Sequence, residues 1–176
     1  MFPHEHFIVA LILVVMYIFA RERKLPSRSL IAITFVGSQY PDLIDKPLAL
    51  QLGVIPTGRV FMHSLSFAIP VSIAVLAYAW KTDRFQAGIV FVIAYASHLV
   101  TDNYAALVAG EIPNDLVWPF RPPIPRPDIP HWSSPSLIEV HLFTAFSIVV
   151  LSITAYYLVL DIRKHLFTSD EQADSN

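Results

Sequence analysis

Two residues inside an otherwise apolar stretch carry the clearest chemical signal in this chain. His98 and Asp102 are spaced i,i+4, so on a helix they project from one face, one turn apart, with Tyr95 on the same stripe. Either group would be costly in lipid, and such residues normally face a bundle interior or a wet cavity with a partner. Asp42 and Asp45 follow at i,i+3 in YPDLIDKP. If that stretch is helical, the two carboxylates share a face and Pro41 suits its first turn. The plainer reading is a pair of carboxylates offsetting the positive end of a helix. His63 in GRVFMHSL and His6 near the chain start are weaker alone, each explicable as a satisfied polar group. Arg59, four residues before His63, suits bidentate binding of an anion such as phosphate, or contact with lipid headgroups. Lys46 reads as a surface neighbour of the aspartates.

The set is stronger than its members. Three imidazoles (His6, His63, His98) and three carboxylates (Asp42, Asp45, Asp102) make a nitrogen–oxygen donor set, and the chain has no cysteine to add thiolate. Zinc, manganese and iron all accept such ligands. There are enough donors for two metals, with carboxylates bridging and a bound water activated near neutral pH. Ser64 beside His63 raises a serine hydrolase, but no G-x-S-x-G elbow surrounds it.

The elements that must position these groups are membrane helices. Of 176 residues, 55% are hydrophobic and only 15% charged, more apolar surface than a soluble domain of this size can hide. The net charge of −2 gives no basic footprint for nucleic acid. Apolar runs at 61–80, 86–109 and 137–160 read as clear spans. The run at 7–20, with its charges after rather than before the apolar core, reads as a retained helix and not a secretory signal. Segment 29–45 is short, and is expected either to span or to rise part way and break at Pro41. The expectation is an all-α, polytopic bundle of about four to five transmembrane helices, forming one domain over 1–167.

Charge sets the topology. With the N-terminus outside and 29–45 crossing, eight of the 12 basic residues fall inside, the bias expected of a plasma-membrane protein with a cytoplasmic C-terminus. Six of the seven histidines then fall toward the outer face, although histidine played no part in choosing the orientation. Residues 110–136 hold eight of the 14 prolines and make an outer loop, either a lid over a site or a stiff connector. Residues 168–176 read as a disordered cytoplasmic tail.

These motifs resemble a known family. EHF (Glu5, His6), YPDLIDKP, GRVFMHSL, SHLVTD (Ser97 to Asp102) and VWP (Val117 to Pro119) resemble, in order, those of small membrane-bound predicted metal-dependent hydrolases related to the LexA-regulated, YdjM-type inner-membrane proteins. The resemblance implies His6, Asp42, Asp45, His63, His98 and Asp102 as metal ligands. Arg59 matches the arginine of the family's H-R-x-x-T-H-S motif, from which this chain departs at Gly58 and Met62. The function expected is hydrolysis of a phosphoester or lipid ester at the outer face by a divalent metal, zinc first, with manganese or iron as alternatives. Asp45, His98, Asp102 and Arg59 would carry the reaction, and the bilayer and a phospholipid or phosphoester substrate would be the partners. Metal transport or sensing, and a non-catalytic protein with a decayed site, are the competing expectations.

Overall fold

The computed structural model describes residues 2–123 and 142–173. The elements are α1 (Pro3–Glu22), α2 (Arg28–Lys46) continued by a π-helical turn (Pro47–Gln51), α3 (Leu65–Lys81), α4 (Phe85–Asp102), a short α5 (Tyr104–Val108), a 3-10 turn (Asn114–Val117) and α6 (Leu142–Ala173). There is no strand among the described residues, so the protein is all-α as expected. The chain divides into two compact units, 1–139 and 140–176, where the sequence suggested one domain over 1–167. In the second unit, α6 continues past Thr168, through most of the stretch expected to be a disordered tail. The proline-rich loop is described only as far as residue 123, so its role as a lid or connector lies largely outside the described residues, as does the start of the 137–160 run.

Local chemistry explains the boundaries in the first unit. Pro3 opens α1 where its missing N–H costs nothing, and Arg23 ends the helix in the left-handed region, donating its N–H to the Phe19 carbonyl. Ser27 caps α2 by accepting from the Leu30 amide. Pro41 lies inside α2, which neither breaks nor begins there. A proline in a helix interior removes one hydrogen bond and crowds the carbonyl four residues earlier, but packing on both sides holds α2 through that defect.

Within the first unit the long helices alternate in direction. The start of α1 meets the end of α4 (His6 with Asp102), while its end meets the start of α4 (Glu22 with Gln86). The most extensive contact is between α2 and α4. Gly37 makes that contact possible, because a Cβ there would stand 2.9 Å from the Phe91 carbonyl and 3.0 Å from Ala94 Cβ. Gly88 lets α4 approach α3 in the same way, against Ala79. Small residues at helix crossings are the usual solution where lipid supplies no hydrophobic drive between helices.

Two helices, Pro3–Glu22 and Phe85–Asp102, are long and apolar enough to cross a membrane, fewer than the four to five expected. Leu65–Lys81 and Thr144–Leu160 are apolar but shorter. The seventeen residues of Leu65–Lys81 reach about 26 Å, below the ~30 Å of a bilayer core, whereas Thr144–Leu160 is a segment of the longer α6. The helix α2 falls short in hydropathy because its buried face is polar, with Thr34, Ser38, Gln39 and Asp45. Outward-facing Ile12, Met16, Phe19, Phe35, Ile69, Ile73 and Val100 leave an apolar exterior of the kind that a membrane covers.

Candidate metal centre

The antiparallel arrangement brings four chain positions to one end of the first unit. These are the first turns of α1 (His6), the last turns of α2 (Asp42, Asp45), the loop just before α3 (His63) and the last turns of α4 (His98, Asp102). Within that end, ligand atoms of Asp42, His63, His98 and Asp102 all lie within 4.8 Å of one another. No other group of three or more such ligands is found among the described residues.

Hydrogen bonds on the far side of two imidazoles fix what their near sides offer. His98 Nδ1 lies 2.6 Å from the Ser38 carbonyl oxygen, which can only accept, so Nδ1 carries the proton. His63 Nδ1 lies 2.9 Å from Asp45 Oδ2 and donates to that carboxylate. The neutral form of each ring therefore presents a bare Nε2 lone pair inward, and the two Nε2 atoms are 3.1 Å apart. Two lone pairs cannot remain so close without a proton or a metal cation between them. This is how metal-binding histidines are usually oriented, with the outer N–H held by a carboxylate or carbonyl.

Two carboxylates complete the set. His63 Nε2 is 3.6 Å from Asp42 Oδ1 and 3.5 Å from Asp102 Oδ2, and His98 Nε2 is 3.9 Å and 3.6 Å from the same atoms. Bonds of about 2.0–2.2 Å in a tetrahedron place ligand atoms roughly 3.3–3.6 Å apart, close to these separations. Asp42 Oδ1 and both Asp102 oxygens are buried without a hydrogen-bond partner. Such oxygens are expensive to bury unless something positive faces them. The four residues therefore fit a divalent ion, offering two imidazole nitrogens and two carboxylate oxygens within 4.8 Å of one another.

His63 precedes α3 and shows the same pressure electrostatically. Burial alone would lower its pKa, but the carboxylates of Asp102, Asp42 and Asp45 outweigh burial and push it up to about 10. A proton fills the gap when no metal does.

Two expected ligands stand one step back. Both oxygens of Asp45 are engaged: Oδ1 accepts from the Met62 amide at 2.8 Å, and Oδ2 accepts from the amide and Nδ1 of His63. Asp45 is fully buried and acts on His63, whose loop it also pins, so the geometry gives it no direct ligand role. His6 Nε2 lies 3.2 Å from Asp102 Oδ1, the oxygen turned away from His63 and His98. Its ring stacks on His98 with centroids 4.0 Å apart, and its Nδ1 lies 2.8 Å from Thr101 Oγ1. His6 thus braces Asp102 and His98 from behind. Arg59 Nε is 3.2 Å from Asp102 Oδ2, beside the cluster. Ser64 donates its hydroxyl to the Phe61 carbonyl and does not join the cluster.

Sequence reasoning missed the groups that hold the ligands. The Ser38 carbonyl leaves no side-chain signature. Thr101 stands beside Asp102 in the sequence, where its spacing from His98 could have suggested it. Tyr95, seen only as part of a stripe, donates its hydroxyl to the Met62 carbonyl at 2.6 Å and ties the His63 loop to α4.

The YdjM inner membrane protein family matches residues 1–165. No curated protein and no solved structure matches the chain. With a match over nearly the whole sequence, the chain belongs to the YdjM inner membrane protein family.

Proposed function

We propose that the chain is a multi-pass membrane protein whose His/Asp cluster holds a divalent ion, zinc in the first instance, and hydrolyses a phosphoester at the outer membrane face. The observation that supports this most directly is the convergence of His63 Nε2, His98 Nε2, Asp42 Oδ1 and Asp102 Oδ2, with Asp42 Oδ1 buried and lacking a hydrogen-bond partner. The apolar runs, the placement of basic residues at the opposite helix ends and the exposed apolar exterior support four to five crossings, with the N-terminus outside.

A divalent ion in this position supplies Lewis acidity toward the ester and activates water as the nucleophile. The chain's own residues do the rest. Asp45 and the Ser38 carbonyl hold His63 and His98 in the tautomers that leave Nε2 free. His6 steadies Asp102. Arg59 remains about a quarter exposed and is placed to take the anionic part of a substrate beside the cluster. A lipid substrate would reach such a site by lateral diffusion.

The test is hydrolysis in mixed micelles by the purified, metal-loaded protein, with p-nitrophenyl phosphate and phosphatidic acid as probes. Turnover that stops on chelation and in Asp102→Ala is the expected result. Metal-loaded protein that cleaves neither probe would contradict phosphoester hydrolysis. A role in metal transport is less well supported, because the donors gather at one end and transport sites usually lie near the bilayer midplane.

A further inference from the structure

Asp42 reaches two cations, and only one of them is absent from the chain. Its Oδ1 faces the two histidines, while its Oδ2 lies 2.6 Å from Lys46 Nζ. In a two-metal site a bridging carboxylate would join two ions about 3.5–4 Å apart. Here an ammonium already occupies the second position. Both oxygens of Asp45 are engaged by the His63 loop, so that carboxylate does not start another ligand set.

Charge leads to the same count. Three carboxylates (Asp42, Asp45, Asp102) face two fixed cations (Lys46, Arg59), leaving one net negative charge. A single divalent ion reverses that sign. A second would leave an excess of three positive charges in a site whose ligand side chains are at most 12% exposed, at a large electrostatic cost.

Lys46 also has donors to spare. An ammonium has three N–H donors, and among the described residues its one partner is Asp42. The two terminal nitrogens of Arg59 likewise have no partner among the described residues, its Nε being the atom on Asp102. The side chains of Lys46 and Arg59 are 27% and 26% exposed, so they form an open edge to a closed cluster. Gly58, the residue before Arg59, lies against the Lys46 stem: a Cβ there would stand 3.4 Å from Lys46 Cγ. Of the two positions at which this chain departs from its family motif, Gly58 is thus packed against the Lys46 stem. An ordinary i,i+4 surface pair accounts for the contact with Asp42, but not for a carboxylate shared between that contact and the buried cluster.

We infer that the site takes one divalent ion per chain and that Lys46 joins Arg59 as the second arm of a receptor for a phosphate group. This rests on the metal reading above. It narrows the substrate class to an anionic phosphate ester, and excludes a neutral carboxylic ester.

The experiment uses the full chain in detergent, without a histidine tag, reconstituted with zinc. Elemental mass spectrometry gives ions per chain. Calorimetry then titrates inorganic phosphate and short-chain phosphatidic acid in parallel into wild type, Lys46→Met and Lys46→Arg. Methionine keeps the apolar stem over Gly58 and removes the charge. One ion per chain is expected in all three. Phosphate affinity should fall about tenfold in Lys46→Met, the effect of one charged hydrogen bond, and return in Lys46→Arg. Whichever probe binds tighter identifies the source of the phosphate, a lipid headgroup or a soluble ester. Two ions per wild-type chain, or phosphate affinity unchanged in Lys46→Met, would overturn the inference while leaving the metal reading intact. Should Lys46→Met not fold, the wild-type ion count still decides. Wild type that binds no ion would remove the metal reading and this inference with it.

Discussion

The two ends of the first helical unit use similar residue types under opposite physical constraints. At one end Arg21, Arg23, Lys24, Lys81 and Arg84 are exposed, with Arg28 half-buried. At the other, His63, His98 and Asp102 have side chains no more than 2% exposed, and every polar atom around them has a defined direction. Charge that stays in water needs no partner. Charge that leaves water must be paired atom by atom, and only that second arrangement creates a place for a metal. Buried geometry, and not the abundance of charge, marks the candidate site.

The largest contrast comes from removing one charge at each end. Asp102→Ala should lose more than about 100-fold in metal affinity, since it deletes a ligand and leaves Arg59 and His6 without their common partner. Arg84→Gln at the opposite end should leave metal binding unchanged. Equilibrium dialysis of both variants checks the pair, and equal losses would erase the distinction between the ends.

A smaller effect separates a ligand from the group that holds it. Asp45→Asn should lower metal affinity by about 10–100-fold without abolishing the site, the range typical when the partner of a metal-bound histidine is altered. A loss as deep as that of Asp102→Ala would make Asp45 a ligand after all.

Next comes pH. The proton on His63, whose pKa is raised to about 10, must leave before Nε2 can bind a cation. Below that pKa the proton competes, so apparent affinity should rise with pH, by about tenfold per unit through roughly pH 6 to 9. Calorimetry in two buffers of different ionisation enthalpy would count the released proton. Affinity that is flat with pH would show that His63 is not displaced.

The mildest test concerns packing. Gly37→Ala would wedge α2 away from α4 beside the Ser38 carbonyl, and should destabilise by about 1–3 kcal/mol. Gly58→Ala meets only ordinary contacts with Lys46 and should change thermal stability little. Thermal unfolding of the two alanine variants in detergent provides the comparison.

Much of the site could be read in the sequence because burial of charge in an apolar run is rare and therefore informative. His98 with Asp102, the aspartates of YPDLIDKP and His63 with Arg59 all come to one end, as their spacing and the alternating helices suggested. Depth within the site could not be read. Whether an aspartate touches a metal or a histidine depends on which oxygen faces which amide, and Asp45 is decided by the Met62 and His63 N–H groups. Backbone acceptors such as the Ser38 carbonyl have no residue type to reveal them. Pro41 was read as a break or a start because its local preference is clear, whereas the packing that carries α2 past it is not local. Lys46 looked like surface because its partner on the same helix explains it fully, until the other oxygen of that partner is placed.

The central claim is that the converging donors bind a metal. Its most direct test is the metal content of wild-type protein, purified without chelator or histidine tag, beside a His98→Ala/Asp102→Ala variant. About one equivalent of zinc, manganese or iron in the wild type, lost in the variant, is the predicted result. A wild type that carries no metal and takes up none on reconstitution would contradict the account, and would leave the cluster as a hydrogen-bonded brace between helices.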